Sequence, residues 1–249
     1  MNGKANIHFK DGKKIARADK VEYLGGTITP EASRNAEISS RMSKALGTCK
    51  TLKVFWRKTN AEIGWKVQVY NAIIISQLIY GLNTLNITPG IKDRLNAFHM
   101  RGLRYVLNID HSFYSHISNE EVINRMNLAI NSATSLNITW EQFKIQKEVA
   151  NEDYKATKLV GDLILDRQEI LLGHVLRRDT SNLMRKVTCN NQLRRPYQEY
   201  KRTGHPRSNW YEDNMNRAYN KFGNNDGCFD YTKPEHVEII KNAAESRLF

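Results

Sequence analysis

The sequence predicts a mainly α protein: a helical bundle with a small β-hairpin at its N-terminus and an irregular basic arm towards its C-terminus. Three observations carry that expectation. Apolar residues recur at three- and four-residue steps through several long windows, which marks amphipathic helices. Helix-start signals precede those windows, with hydroxyl residues, prolines and acids where orphan backbone N–H groups need them. Strand-like patterning is confined to the stretch before Thr29.

Asn6 to Phe9 and Lys14 to Ala18 flank Asp11-Gly12, which supplies the positive φ of a tight hairpin turn. Val21 to Ile28 reads as one further strand. Thr29-Pro30 opens the first helix, whose stripe is Ile38, Met42, Ala45, Leu46, Cys49, Leu52 and Trp56. Arg34, Arg41, Lys44, Lys50, Lys53, Arg57 and Lys58 surround that stripe. Thr59 to Glu62 has capping-box spacing and opens a second helix with Ile63, Val67, Tyr70, Ile73, Ile74, Leu78 and Ile79 inward. Few charges flank it, so it should be the more deeply buried partner, and Gly81 should stop it in a left-handed turn.

Thr88-Pro89 begins a third helix, with Ile91, Leu95, Phe98, Leu103 and Val106 inward and Lys92, Arg94, Arg101 and Arg104 outward. Those outward arginines read equally as a solvated face or as contacts to backbone phosphates, which need only charge and reach. Asp110 to Ile117 is a loop whose aromatics, Phe113 and Tyr114, should anchor it to the core, with base stacking as the alternative. Ser118 to Glu121 is another capping box, leading a helix through Met126 to Ile130. Asn131 to Asn137 is a polar connector, and Thr139 to Gln142 caps an amphipathic helix from Trp140 to Tyr154. Gly161 to Val175 reads as a buried helix through Leu163, Ile164, Ile170, Leu171, Leu172 and Val175, ending at His174 and Arg177-Arg178. Ser208 to Phe222 is a helix with Met215, Ala218 and Tyr219 inward and Gly223 as its stop, and Thr232 to Glu235 caps a last helix to Leu248.

The net charge of +12 is unevenly placed. Residues 1–20 hold six Lys/Arg against two Asp, residues 34–58 hold seven against one Glu, and residues 167–207 hold ten against three acids. The rest of the chain is net acidic. Segregated blocks of this kind suggest tracks for a polyanion, nucleic acid above all. Residues 185–210 have the most suitable composition: Arg185, Lys186, Arg194, Arg195, Lys201, Arg202 and Arg207 alternate with Tyr197, Tyr200, His205 and Trp210. That mixture offers phosphate pairing together with flat stacking surfaces. Pro196, Gly204 and Pro206 should keep the segment extended.

Other function classes are disfavoured. No apolar run approaches the roughly 20 residues that span a bilayer, and no apolar signal core stands at the N-terminus, so an intracellular, unsecreted protein is expected. Cys49, Cys189 and Cys228 are an odd number without close pairing, which argues for a reducing compartment. A zinc site from Cys189, Cys228, His174 and His205 lacks any C-x-x-C or H-x-x-x-H pair, so no metal and no cofactor is expected. His174 has no acid or thiol beside it in sequence and reads as a helix-end histidine in a structural hydrogen bond.

V-E-Y-L-G-G-T-I (Val21 to Ile28), E-I-S-S-R-M (Glu37 to Met42) and W-K-V-Q-V-Y-N-A-I-I-I-S-Q-L-I-Y-G (Trp65 to Gly81) stand in order along the chain. F-H-M-R-G-L-R-Y-V-L-N-I from Phe98, S-N-E-E-V from Ser118, L-G-H-V-L-R-R from Leu172 and G-H-P-R-S-N-W from Gly204 follow them. This series resembles the region after the polymerase active site in reverse transcriptases of non-long-terminal-repeat (LINE-type) retrotransposons. The resemblance covers residues 20 to 215, is least recognisable between 131 and 160, and leaves the last 25 or so residues outside it. Taken with the residue patterns, it divides the chain into a β remnant of the palm at 1–30, a thumb-like helical domain at 31–130, a second helical subregion at 131–184, the basic arm at 185–210 and C-terminal helices at 211–249, the last two read from the residues alone.

Polymerase chemistry in that family needs a Tyr-x-Asp-Asp turn to hold two divalent cations. No Asp-Asp pair occurs in these 249 residues, so the chain is not expected to polymerise. The resulting expectation is a non-catalytic RNA-binding and scaffolding protein of a large ribonucleoprotein, with a mitochondrial ribosome as the particle suggested by analogy. Its partners would be structured RNA and neighbouring proteins, with no membrane and no small-molecule substrate. The residues expected on RNA are Arg41, Lys44, Lys53, Arg57, Lys58, Arg101, Arg104, Arg177, Arg178, Arg185, Lys186, Arg194, Arg195, Tyr197, Lys201, Arg202, Arg207 and Trp210. The alternatives are a C-terminal fragment of an active RNA-directed DNA polymerase, and a plain helical adaptor that makes no use of the basic arm.

Overall fold

The computed structural model describes residues 8–14, 18–23, 25–29, 33–131, 157–195, 209–223 and 227–249. The protein is mainly helical with a two-stranded antiparallel sheet near the N-terminus. It divides into two compact units, Met1–Ser40 and Arg41–Phe249, and the first long helix runs across that division. The expected helix from Trp140 to Tyr154 lies outside the described residues.

In the first unit Gly12, at φ 81°, turns the chain so that His8 pairs antiparallel with Lys14. Val21 to Ile28, expected as one strand, is itself a hairpin. β1 (Val21–Tyr23) pairs antiparallel with β2 (Gly26–Ile28), because Gly25 takes φ 75° and lets the chain reverse. α1 (Arg34–Thr51) starts after Ser33, later than the expected Thr29-Pro30. Thr29 Oγ1 accepts the Ser33 N–H at 3.0 Å, while Ser33 Oγ accepts the Ala36 N–H at 3.4 Å. The serine thus occupies the capping position, and Glu37 in the first turn takes the Thr27 N–H.

The second unit begins inside α1. Ala45, Cys49 and Trp56 are buried as the stripe predicts, but the helix breaks at Leu52, and α2 (Lys53–Lys58) follows. Trp56 spans the break by donating its indole N–H to the Cys49 carbonyl at 3.0 Å. The expected capping box at Thr59 does not form: the Thr59 hydroxyl donates to the Phe55 carbonyl at 2.7 Å, and α3 (Ile63–Val69) has no side-chain cap. The carbonyls that end α2 are satisfied by Lys66, a buried side chain whose Nζ donates to Trp56 O at 2.9 Å and Thr59 O at 3.0 Å.

A π-helical turn (Tyr70–Ile75) continues α3 into α4 (Ser76–Ile79), and Gly81 ends the run at φ 73° as predicted. The wider turn holds one more residue than an α turn, so the inward face shifts by one position. Ile73, expected inward, is 42% exposed, and Ile75 is buried in its place.

A 3₁₀ turn (Leu82–Thr84) leads to α5 (Pro89–Val106), which starts with proline at its first position. Its inward residues are buried as expected, together with His99. α6 (Ser112–Ser115) is a single turn, and α7 (Asn119–Asn131) is capped by Ser118 Oγ, which accepts the Glu121 N–H at 3.1 Å. The Glu121 carboxylate turns outward to Arg125 at 2.8 Å, so only half of that capping box is made.

α8 (Val160–Leu176) packs on α5 before it and on α9 (Leu183–Thr188), α10 (Trp210–Gly223) and α11 (Pro234–Glu245) after it. Leu172, Leu193, Tyr211, Met215, Ala218, Tyr219 and Ile240 form a second apolar core there. Ile170, expected in the buried face, is instead 45% exposed. A polar seam joins the helices to the 3₁₀ turn. Buried Gln168 donates to the Leu85 carbonyl at 2.7 Å and accepts from Arg217 at 3.0 Å, and Asn86 donates to Asp213 at 3.1 Å. The buried Gln168 amide thereby finds partners, as burial of a polar group requires.

Candidate nucleic-acid interface

The expected contact residues separate into exposed cations and cations drawn into the interior. On α1 and α2, Lys44, Lys53, Arg57 and Lys58 are exposed. The burial of Trp56 fixes their orientation, because its neighbours along α2 then face solvent. Arg57 reaches Asp110 at 3.3 Å, an exposed pair that contributes little to stability. Among the described residues Lys50, Lys53, Lys58, Arg101 and Arg178 make no ion pair, so their charge is uncommitted.

Three of the expected contacts are buried, and two of them, Arg41 and Arg104, are corrected because the fold itself takes up their charge. Arg41 is 7% exposed, with its guanidinium 5.0 Å above the Tyr80 ring, a cation–π arrangement within unit two. Arg104 is likewise 7% exposed and holds the turn before α7, donating through Nη2 to Ile117 O at 2.8 Å and Asn119 Oδ1 at 3.0 Å. Arg185, within α9, is 6% exposed. Arg41 and Arg104 spend their charge on partners inside the fold, which a sequence pattern on one helix face cannot display.

The region around α9 keeps several cations outside. Lys186 and Arg194 are exposed, Arg194 lying 5.1 Å from the Tyr231 ring centre, and Arg195 faces Glu212 at 3.7 Å. Arg177 bridges to the last helix, donating to the Ala244 carbonyl at 3.3 Å and meeting His174 Nδ1 at 3.2 Å. His174 is an exposed residue in a hydrogen bond, as its helix-end position suggested. Tyr197, Lys201, Arg202 and Arg207 lie outside the described residues. Trp210, expected to stack on bases, is packed against the second core with its indole N–H donated to the Asn83 carbonyl at 2.8 Å. Apolar packing and a satisfied N–H both favour that placement over an open stacking face.

Phe113 and Tyr114 correct the sequence reading in the other direction. Expected to anchor their loop, they are 74% and 76% exposed and pack edge to face on each other at 5.2 Å. His111 Nδ1 accepts the Phe113 N–H at 3.2 Å and starts the α6 turn, which holds both rings outside.

Burial pushes the Cys49 and Cys189 thiols up, whereas Cys228 is exposed. Among the described residues no group of three or more His, Cys, Asp or Glu side chains could hold a metal ion, and no helix is long and apolar enough to cross a membrane. No protein-family model, curated protein or solved structure matches the chain.

Proposed function

We propose that this chain is a non-catalytic RNA-binding and scaffolding protein, derived from a LINE-type reverse transcriptase and seated in a large ribonucleoprotein such as a mitochondrial ribosome. The observation that carries the reading is the set of exposed, uncommitted cations: Lys50, Lys53, Lys58, Arg101 and Arg178. A folded protein gains nothing for its own stability from such a set, whereas a phosphate backbone releases counterions on meeting it. The ordered motifs from Val21 to Trp210 support the descent, and the lack of any Asp-Asp pair supports the loss of polymerisation. A fragment of an active polymerase is the competing reading, favoured by the same motifs.

The test is affinity for a structured RNA followed by fluorescence anisotropy over a salt series. Affinity should fall steeply and linearly with the logarithm of salt concentration. Salt-insensitive binding, or none, would remove the phosphate-tracking reading. Primer extension by the chain with template and magnesium would select the polymerase instead. Purifying the native particle and sequencing its RNA identifies the partner.

A further inference from the structure

Beside α9 lies an open cleft of about 590 Å³ lined by Thr180, Arg185, Lys186, Cys189, Asn190, Asn191 and Gln192. Arg185 is the feature that needs explanation. It is 94% buried by the complement of its 6% exposure, yet its Nε and Nη1 have no hydrogen-bond partner among the described residues. A desolvated guanidinium with two unspent N–H groups is costly, and such a charge is retained where something negative pairs with it.

Among the described residues the neighbours on Arg185 do not supply that charge. It interacts with the Cys189 thiol and the Tyr211 hydroxyl, and burial pushes both groups up, so both are neutral. The Tyr211 hydroxyl is itself donated to the Leu193 carbonyl at 2.9 Å. Asp179, outside the lining, interacts with Lys186, but one of its carboxylate oxygens already accepts the Ser181 N–H at 2.7 Å. Arg185, Lys186 and Asp179 together leave one uncompensated positive charge, the amount that a phosphodiester carries in opposite sign. Asn190 Oδ1 accepts the N–H groups of Gln192 and Arg194, each at 2.9 Å, which leaves the amide only donors to offer. The cleft is thus rich in donors and short of one anion.

We propose that this cleft holds a single phosphate group, with Arg185 as its buried anchor and Lys186 and the Asn190 amide completing the shell. On the RNA-binding reading, which the source of the phosphate rests on, that group belongs to the RNA backbone. The site then fixes the register of the RNA on the protein, since an oriented guanidinium holds phosphate more specifically than a mobile surface lysine does.

The test uses inorganic phosphate as its probe, in the full chain and at constant ionic strength. Phosphate binding is followed by calorimetry and by the Arg185 Nε–H resonance, and RNA binding by anisotropy with phosphate replacing chloride. Saturable phosphate binding that shifts the Arg185 signal is expected, together with a several-fold loss of RNA affinity beyond that of matched chloride. Arg185→Lys should weaken both about tenfold. Because a buried arginine can be needed for folding, Asn191→Asp at the exposed rim is the second variant, and it should weaken both without loss of stability. RNA binding that ignores phosphate, Arg185→Lys and Asn191→Asp overturns the cleft and leaves the RNA reading intact. Phosphate binding in a chain without RNA affinity upholds the cleft as a site for free phosphate and removes the RNA reading.

Discussion

The Tyr70 phenol lies directly over Gly102, where an added Cβ would sit 2.6 Å from the ring carbons Cε2 and Cζ. Both flanking elements are fixed, since Tyr70 is fully buried and its hydroxyl meets His99 Nδ1 at 3.1 Å. Gly102→Ala should therefore destabilise the protein by about 1–3 kcal/mol through overpacking. A lower denaturant midpoint with an unchanged slope would bear this out, and an unchanged midpoint would mean that the ring can move aside.

Lys66 carries a second prediction. Its ammonium satisfies the carbonyls of Trp56 and Thr59, and Lys66→Met preserves the buried stem while stranding both oxygens. A loss of about 1–3 kcal/mol is expected, and amide exchange should quicken across α2 before it does across α5. If α2 kept its protection, the cap would be dispensable.

His99 gives the acid limb of stability. Burial holds its imidazole down to about 4, and although the nearby Lys158 backbone pulls the other way, Nε2 has no partner that meets hydrogen-bond geometry among the described residues. The unfolded chain, with an ordinary histidine near 6.5, takes up the proton first as pH falls. Stability present above about pH 6.5 is therefore lost down to about pH 4, by about 3 kcal/mol in total. His99→Gln should flatten that limb in urea titrations at several pH values; an equally steep limb would place its source elsewhere.

Charge removal should sort the arginines and lysines by burial. Arg104→Met should cost about 1.5–3 kcal/mol of stability, because its hydrogen bonds to Ile117 and Asn119 are charge-assisted, while the salt slope of RNA binding stays unchanged. The double variant Lys53→Ala, Lys58→Ala should leave stability within about 0.5 kcal/mol and reduce the salt slope by about one to two. The opposite pattern would refute the division into interior and surface cations.

Thiol titration provides an independent check on the two cores. Cys228 should react at once with a disulfide reagent in the native protein, whereas Cys49 and Cys189 should react only after unfolding. Fast native reaction of more than one thiol would show that one of those helices opens readily.

How much of this could be read from the sequence depended on whether the cause was local. The stripe through Ala45, Cys49 and Trp56 and the breaks at Gly81 and Pro89 follow from helical period and backbone freedom, and all are present. Thr59 misled because its hydroxyl had a choice, and the Phe55 carbonyl behind it won over the amides ahead. Ile73 and Ile75 exchanged places because a π turn is set by packing and leaves no mark in composition. In the candidate interface, Lys44, Lys53, Lys58 and Lys186 are exposed, as hydrated ammonium groups on helix surfaces should be. The buried arginines could not be picked out, since what draws them in is a ring at Tyr80 or a carbonyl at Ile117, each on a distant segment.

The turn from Tyr70 to Ile75 accommodates one residue more than regular α winding would, while the helix keeps running on either side. Deleting one residue there would restore even winding, rotate everything from Ser76 to Tyr80 by about a hundred degrees, and carry the ring beneath Arg41 away from it. The irregularity is what lets one continuous rod serve two differently phased surfaces.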